Sequence, residues 1–402
     1  MQTVSLDDIR ADRDFIARLT QIRRDIHAHP ETAFEERRTA DLVAARLTEL
    51  GIEVHRGLGK TGVVGTLRGR RQGQRTIALR ADMDALFIAE QTGLPHASTV
   101  PGKMHACGHD GHTTMLLGAA EKLAGDPDFA GTVHFIFQPA EEGLGGARVM
   151  IEDGLFDLFP CDAVYGVHND PQRPLGEVRT RVGGFLSAGD TWEVRFRGTG
   201  GHGAMPERGT DPTVPAGQFV ASIGSAISRR VPSVESAVIS VGHIAAGDYD
   251  SPNIIPSEVT IRGTARTYAP DVRDTVEHMI DALARGATLP FDVEAELIYT
   301  RRYPPLVNEA GRVELAARAA AATVGEANVD AGARPQGASE DFAFMLEKVP
   351  GAYVMIGNGD GPDSAFVHTP KYDFNDELIP IGVTYWLNLV HAELGLEGKA
   401  GA

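Results

Sequence analysis

A length of 402 residues exceeds what one hydrophobic core usually organises, and it predicts two domains. With 42% hydrophobic and 23% charged residues, the composition is that of a globular protein and excludes a disordered chain. The formal net charge of −17, without any run of Lys and Arg, argues against a nucleic-acid partner and favours a small molecule.

Cysteine usage and hydropathy bear on the cellular compartment. The two cysteines, Cys107 and Cys161, exclude a disulfide framework and indicate a reducing environment. The first residues lack a basic region followed by an apolar core, and no stretch approaches about 18 consecutive apolar residues. We therefore expect a cytoplasmic protein without a membrane partner.

The first third of the chain and its end predict an α/β layered domain. Helices are expected over about residues 6–28 and 35–50, the second closed by Gly51, and another follows from Gly111. Four apolar runs predict buried strands: TIALRA from Thr76, TVHFIFQ from Thr132, AVYGV from Ala163 and AYVMIG from Ala352. Their apolar residues are continuous rather than alternating, so both faces of the sheet should be covered.

From about Gly184 the pattern changes to strand, helix, two strands, helix, strand. Period-two alternation in several of these strands predicts an antiparallel sheet with one face covered by two helices. The strand AYVMIG and a helix from about Glu377 come later in the chain, so this small α+β domain is an insertion. We predict a discontinuous α/β domain over residues 1–184 and 301–402, and an inserted domain with a four-stranded sheet over residues 185–300.

Polar side chains suited to metal binding follow the ends of the four buried strands. They are Asp82 and Asp84, Glu141 and Glu142, His168, and His368 in a following loop. Open α/β sheets bind ligands at the carboxyl ends of their strands, so these side chains are expected to form one site.

The sequence CGHD adds Cys107 and His109 just before a helix. Two residues apart in an extended loop, their side chains can point the same way. Thiolate, imidazole and carboxylate together suit zinc, and they also accommodate manganese, cobalt or nickel. Neighbouring Glu141 and Glu142 in an extended segment point in different directions, so one can bind metal while the other activates water.

Each of these features also has a purely structural interpretation. Cys107 alone would more often be a small buried hydrophobic residue, and His109 beside it reverses that preference. Paired glutamates often begin a solvated helix, and Asp82 and Asp84 could cap a turn. Four other histidines near the motifs could cap or hydrogen-bond: His27, His29, His105 and His112. The convergence of all the features favours a hydrolytic metal site.

Nine segments together make the chain resemble the aminoacylase and hippurate hydrolase family of dinuclear metal-dependent amidohydrolases. They are RRDIHAHPE at Arg23, ALRADMDAL at Ala78, HACGHDGH at His105, QPAEEG at Gln138, GVH at Gly166, GGHGAMP at Gly200, NIIP at Asn253, GASEDFA at Gly337 and FVHTP at Phe366. The resemblance extends over nearly the whole chain. It implies a zinc-peptidase-like α/β catalytic domain with a mixed sheet.

The same resemblance implies a role for each candidate residue of the metal site. Cys107 bridges two divalent ions, and the remaining ligands are His109, Glu142, His168 and His368. Glu141 becomes the general base, which takes a proton from the attacking water and returns it to the leaving amine. Asp84 becomes a partner that orients a metal ligand.

The resemblance also implies a lid and dimerisation role for the inserted domain, and thus a homodimer or homotetramer. His202 matches a histidine that stabilises the oxyanion, in some relatives from the partner subunit. Asn253 and Arg266 match positions that hold the substrate carboxylate, and Ser339 lies in a loop facing the substrate. From the residues alone, His202 could belong to a plain turn, Arg266 to a solvated face, and Ser339 could be a helix N-cap.

The expected reaction is hydrolysis of an N-acyl or N-aroyl L-amino acid to a carboxylate and a free amino acid. Relatives that act as aminopeptidases or broad dipeptidases carry aspartate at the bridging position, whereas this chain has Cys107. A dipeptidase or an N-acetyl-diaminopimelate deacetylase is the alternative within the class. A non-catalytic ligand-binding relative is a weaker alternative because every ligand and the base are present. A nucleotide-dependent oxidoreductase is weaker still, since no G-x-G-x-x-G follows the first strand.

Overall fold

The computed structural model describes residues 3–359, 361 and 363–395, which form two compact units. The larger unit contains the described residues of Met1–Gly183, Asn308–Arg334 and Phe344–Ala402. The smaller unit contains Gly184–Val307 and Pro335–Ala343. Within the described part of the chain, no helix is both long enough and apolar enough to cross a membrane.

An eight-stranded mixed sheet forms the centre of the larger unit. In spatial order its strands are Glu53–Leu58, Gly62–Arg68, Ala130–Gln138, Arg71–Asp82, Ala163–Pro174, Gly351–Gly359, Val178–Arg179 and Val329–Asp330. The third to sixth of these run parallel to one another, and they contain the four predicted apolar runs. Each of these four strands contains a run of consecutive buried residues, as expected for a sheet covered on both faces. The predicted α/β class with a mixed sheet is confirmed.

Helices cover this sheet and close its core. The longer ones are Arg13–Ala28, Arg37–Glu49, His109–Gly125, Ala310–Val324 and Leu378–Leu394, and the shorter ones are Leu6–Ala11, Glu141–Leu144, Gly146–Glu152, Leu155–Leu158 and Ala343–Leu346. The single helix predicted over residues 6–28 is wrong in detail. Asp12 interrupts it, and its Oδ1 accepts a hydrogen bond from Phe15 N (3.2 Å), so Asp12 caps the start of a second helix.

The register of the parallel strands brings the metal-site residues to one edge of the sheet. Asp82, the last residue of its strand, pairs with Gln138, the last residue of the neighbouring strand. His168 pairs with Met355 and lies within its strand rather than after it. The carboxyl ends of parallel strands meet at a common edge, so residues distant in the chain become neighbours there.

The smaller unit has a four-stranded antiparallel sheet with two helices. The strand order is Ala237–Ala246, Glu258–Thr267, Gly189–Arg197 and Glu294–Tyr303, and the helices are Thr213–Arg230 and Pro270–Thr288. Burial alternates strictly along Gly189–Arg197, whose buried residues include Trp192 and Phe196, packed against Phe219. Short strands are Gly201–His202 and Ile254–Ile255, with Gly183–Leu186 and Leu306–Asn308 at its boundaries, and a 3-10 turn occurs at Pro206–Arg208. A second 3-10 turn, Glu326–Asn328, belongs to the larger unit. The predicted α+β architecture is confirmed.

Candidate metal centre

The turn that carries Cys107 and His109 is set by the glycine between them. Gly108 has φ 100°, a left-handed conformation, and precedes the helix that begins at His109. A Cβ atom at this position would lie 2.1 Å from Asn169 Oδ1 and 2.7 Å from Tyr372 Oη. The predicted extended loop is therefore wrong in detail, because a tight glycine turn aims both ligand side chains.

Glu141 and Glu142 lie in a compact turn and not in the extended segment predicted for them. Ala140 has φ 54°, and a short helix begins at Glu141. The buried carboxylate of Glu36 holds this turn, since its Oε1 accepts a hydrogen bond from Ala140 N at 3.0 Å. Left-handed backbone at a non-glycine residue is uncommon and persists where the surroundings enforce it.

The ligand atoms of Cys107, His109 and His168 form one cluster within 4.8 Å of one another. Cys107 Sγ lies 3.4 Å from His168 Nε2. Cys107 is 7% exposed and His109 is fully buried. This cluster thus offers a thiol and two imidazoles, one of them buried and that of His168 half-buried.

A second cluster consists of Cys107, Glu142 and His368, whose ligand atoms also lie within 4.8 Å of one another. His368 Nε2 is 3.0 Å from Glu142 Oε1, and the His368 side chain is 50% exposed. Cys107 belongs to both clusters, so a single thiolate sits between two sets of donors.

Hydrogen bonds leave one ring nitrogen of His109 and one of His168 available to the cluster. His109 Nδ1 lies 2.9 Å from Asp84 O and 3.1 Å from Asp84 Oδ1, both acceptors, so this nitrogen carries the proton. His109 Nε2 is buried without a hydrogen-bond partner in the described part of the chain. His168 Nδ1 donates to Asn169 O at 2.7 Å, which frees its Nε2. A lone pair left free by such a bond is the usual arrangement of a metal-binding histidine.

The charges around these donors favour a cation at their centre. Burial, together with the carboxylates of Glu142 and Glu141, raises the pKa of the Cys107 thiol well above its ordinary value. Burial lowers the pKa of His109, but the negative charges of Asp82 and Asp84 outweigh it and raise that pKa to about 10. Bound divalent ions would reverse this balance, because they deprotonate a coordinating thiol and replace the imidazole proton. The thiol, imidazole and carboxylate groups of the two clusters, together with the unpartnered Nε2 of His109, fit two such ions.

Asp84 connects the two clusters. One of its carboxylate oxygens faces His109 Nδ1, and the other accepts a hydrogen bond from Glu142 N at 2.9 Å. Asp84 is 1% exposed. It therefore contacts one residue from each cluster, and its expected role of orienting a metal ligand stays a prediction.

Arg80 and Asn169 were not singled out from the sequence, where Asp82 was one of the candidate ligands or turn caps and His112 a histidine that could cap or hydrogen-bond. His112 Nδ1 lies 2.6 Å from Asp82 Oδ1, and His112 Nε2 lies 2.7 Å from Asn169 Oδ1. The other oxygen of this carboxylate, Asp82 Oδ2, accepts a hydrogen bond from Arg80 Nη1 at 2.7 Å and lies 3.8 Å from His109 Nε2. The spacing of His109 and His112, three residues apart on one helix face, was the available signal.

The four candidates outside the metal clusters lie in the smaller unit. His202 is exposed on the short strand Gly201–His202, and Asn253 O accepts a hydrogen bond from the neighbouring Gly203 N at 2.8 Å. Arg266 lies on the strand Glu258–Thr267, where Nη1 donates to Ala265 O at 3.0 Å. Ser339 Oγ is buried without a hydrogen-bond partner among the described residues. Their expected roles stay predictions.

The chain is similar to several known proteins over most of its length. The profile of Peptidase family M20/M25/M40 matches residues 78–392. A hippurate hydrolase of Campylobacter jejuni is 40% identical over 376 residues, which is 94% of this chain and 96% of that protein. An N-acetylcysteine deacetylase of Bacillus subtilis is 38% identical over 381 residues, 94% of this chain and 97% of that protein. A crystal structure of a dinuclear metal-binding peptidase of the M20 family from Bacillus subtilis has a TM-score of 0.83 and 33% identity, covering 94% of this chain and 98% of that one. This chain therefore belongs to Peptidase family M20/M25/M40.

Proposed function

We propose that this protein is a metal-dependent amidohydrolase that cleaves the amide bond of N-acyl or N-aroyl L-amino acids, giving a carboxylate and a free amino acid. The observation that carries the proposal is the pair of three-residue clusters sharing Cys107, with Glu141 beside them. Glu141 is grouped with His109 and Glu142, and it is 7% exposed. A carboxylate that adjoins the proposed metal ligands and belongs to neither of these two clusters supports the proposal that Glu141 is the base.

The named activities of two relatives support this substrate class. Hippurate hydrolase and N-acetylcysteine deacetylase are 40% and 38% identical to this chain over nearly its full length. Both names describe the removal of an acyl group from the nitrogen of an amino acid. The two acyl groups differ in size and chemistry, so the shared feature is the amide bond to the amino acid.

The predicted site residues of the larger unit have distinct parts in the proposed reaction. Cys107 would bridge two divalent ions, of zinc, manganese, cobalt or nickel, which supply Lewis-acid polarisation of the amide carbonyl when bound. Glu141 takes the proton of the attacking water and passes it to the leaving amine. Asp84 keeps His109 and Glu142 oriented through its two carboxylate oxygens.

The smaller unit is proposed to act as a lid and dimerisation module in a homodimer or homotetramer. His202 would stabilise the oxyanion, while Asn253, Arg266 and Ser339 would bind the substrate. The exposed imidazole of His202 is available for such contacts. Both cysteines are free, and a thiolate ligand at Cys107 must stay reduced, which supports a cytoplasmic location.

Replacement of Glu141 by glutamine tests the proposed reaction. Glu141→Gln keeps the shape of the side chain and removes its basicity, so we expect turnover to fall by at least about 100-fold while metal content is unchanged. The measurement combines steady-state hydrolysis of hippurate with elemental analysis of bound metal. Glu152→Gln, an exposed glutamate at the end of the helix Gly146–Glu152, is the control and should keep full activity. Near-normal turnover of Glu141→Gln would disprove the assignment of the base.

A substrate panel tests the chemical class independently of the mechanism. Hippurate, N-acetyl amino acids, N-acetyl-diaminopimelate and dipeptides would be compared after reconstitution with each of the four metals. The proposal expects the N-acyl and N-aroyl amino acids to have the highest kcat/KM. Preference for dipeptides or for N-acetyl-diaminopimelate would favour the alternative, and no hydrolysis with any metal would indicate a non-catalytic protein.

A further inference from the structure

Apart from the two metal clusters, the larger unit contains a buried cluster of ionisable side chains. None of its members is a proposed metal ligand. Its members are Arg23, His27, Glu90, Asp110 and Asp373. Arg23, His27 and Asp110 are all 0% exposed. Buried charges are costly unless they are paired, so their mutual contacts must be well made. Arg23 and His27 belong to the sequence segment RRDIHAHPE, which has no part in the proposed reaction.

His27 contacts a carboxylate with each ring nitrogen. Its Nδ1 lies 2.8 Å from Asp110 Oδ2 and its Nε2 lies 3.4 Å from Glu90 Oε1. Both partners accept hydrogen bonds, so both nitrogens donate and the ring is an imidazolium. Burial lowers the pKa of His27, but hydrogen bonds to the two carboxylates outweigh it and raise the pKa to about 9.

Asp110 transmits this contact to the metal-site turn. It directly follows His109 in the first turn of the helix His109–Gly125, and its Oδ2 receives both His27 and Arg23 Nη1, the latter at 3.4 Å. Gly108 on the other side of His109 leaves no space even for a Cβ atom. The backbone around His109 is thus held from both sides.

Arg23 reaches the segment that follows the exposed proposed ligand His368. The Nη1 atom that contacts Asp110 also donates to Asp373 Oδ1 at 2.9 Å, five residues after His368. His368 itself has φ 62°, and its N donates to Ala106 O at 2.7 Å. One guanidinium therefore ties the segment after His368 to the helix start after His109.

We propose that Arg23 and His27 form a cationic brace, a pair of positioning residues that sets the spacing between His109 and His368 and so makes the site bind two metal ions. The inference rests on the proposed function, because it assumes that these histidines are ligands. A planar guanidinium can hold two carboxylates in a fixed geometry, whereas an ammonium cannot.

Cobalt(II) titration of the purified full-length protein tests the cationic brace. A cobalt(II)–thiolate bond gives an absorption band, called the thiolate band here. The titration therefore reports both the affinity for cobalt and its ligation by Cys107. Arg23→Lys keeps the positive charge but loses the planar guanidinium that contacts two carboxylates. We expect it to weaken binding of at least one cobalt ion by about tenfold or more. His27→Gln, which keeps one donor and loses the charge, should have the same effect and decides the question if Arg23→Lys does not fold.

A matched control separates positioning from general stabilisation. Arg312 also donates to a buried carboxylate in the larger unit, with Nη1 2.8 Å from Glu393 Oε1. Arg312→Lys should lower the melting temperature of the metal-free protein and leave both cobalt affinities within twofold of wild type. If Arg23→Lys and His27→Gln likewise change only the melting temperature, the cationic brace is disproved.

The wild-type titration distinguishes the two proposals. If wild-type protein binds two cobalt ions with a thiolate band and the variants match it, the metal site stands and the cationic brace fails. If wild-type protein binds fewer than two ions or shows no thiolate band, the dinuclear site itself fails and the cationic brace falls with it.

Discussion

Two buried carboxylates, those of Asp84 and Glu36, form hydrogen bonds to the segments that carry the proposed site residues. Asp84 faces His109 and Glu142 with separate oxygens, and Glu36 anchors the turn before Glu141. Both carboxylates are buried, so each is effective only while its partners are in place. Removal of either would leave buried backbone or imidazole donors unsatisfied, which typically costs about 1–3 kcal/mol per group.

The ionisation of Glu36 makes stability depend on pH. Burial, reinforced by the charge of Asp84, raises the pKa of Glu36 from its ordinary 4.5 to about 7. The unfolded chain then loses this proton at lower pH than the folded protein does. The contribution of Glu36 to stability is therefore full below about pH 4.5 and is lost as the pH rises to 7. The shift corresponds to about 3 kcal/mol.

Glu36→Gln removes this titration. In metal-free protein, we expect wild type to become less stable relative to Glu36→Gln by about 3 kcal/mol between pH 4.5 and 7. Urea unfolding of both proteins across this range is the measurement. Glu53→Gln, at an exposed strand position, should parallel wild type at every pH. A constant difference between wild type and Glu36→Gln would contradict the prediction.

Among the elements, the turn before the helix His109–Gly125 has little tolerance for change. It needs both a left-handed backbone and the absence of a side chain at Gly108, where a Cβ atom would meet Asn169 Oδ1 at 2.1 Å. Asn169 O in turn fixes the ring of His168. A shift of Asn169 would thus reach a metal ligand on the neighbouring strand.

Gly108→Ala should therefore reduce both stability and metal binding. We expect a loss of about 2–4 kcal/mol, from the strained φ and the overpacked contact, and weaker zinc binding. Urea unfolding and zinc calorimetry are the measurements. Gly125→Ala, at the end of the same helix with open space around its Cβ position, is the control and should change neither quantity by much. Unchanged zinc affinity in Gly108→Ala would show that the turn is not a constraint on the site.

At the scale of the whole molecule, the metal site of the larger unit extends from its interior to its surface. His109 is fully buried, whereas the side chain of His368 is 50% exposed. The cluster with His109 and His168 is also the one whose imidazoles are held by backbone and carboxylate partners. Two ions bound by clusters that differ so much in exposure should exchange at different rates.

Metal removal is therefore expected to occur in two phases. A chelator should take the ion held by Glu142 and His368 first and the ion held by His109 and His168 at least about tenfold more slowly, because the buried donors are preorganised. His368→Ala should abolish the fast phase and retain one ion per chain. Stopped-flow chelation with elemental analysis is the measurement. His391→Ala, in the last turn of the helix Leu378–Leu394 and in neither metal cluster, is the control and should keep both phases. A single phase in wild type, or loss of both ions in His368→Ala, would refute the expectation.

Local patterns in the sequence were sufficient for the elements and for the residue types of the site. Continuous apolar runs predicted the four parallel strands, and strict alternation predicted the half-exposed strand Gly189–Arg197. These patterns succeed because burial on one or both faces acts on every residue of a strand. The paired glutamates followed from their place after a strand end, and Cys107 and His109 from the sequence CGHD just before a helix.

The orientation of those residues was decided only by tertiary structure. Gly108 adopts its turn because Asn169 and Tyr372 fill the space a side chain would need. Glu36 holds the backbone before Glu141 across more than a hundred residues of chain, and Arg23 meets Asp373 across 350. Local periodicity carries no signal for such contacts, since they arise only when strand order and register bring distant segments together. The sequence by itself thus determined which groups the site contains, and the folded chain decided which atoms face one another.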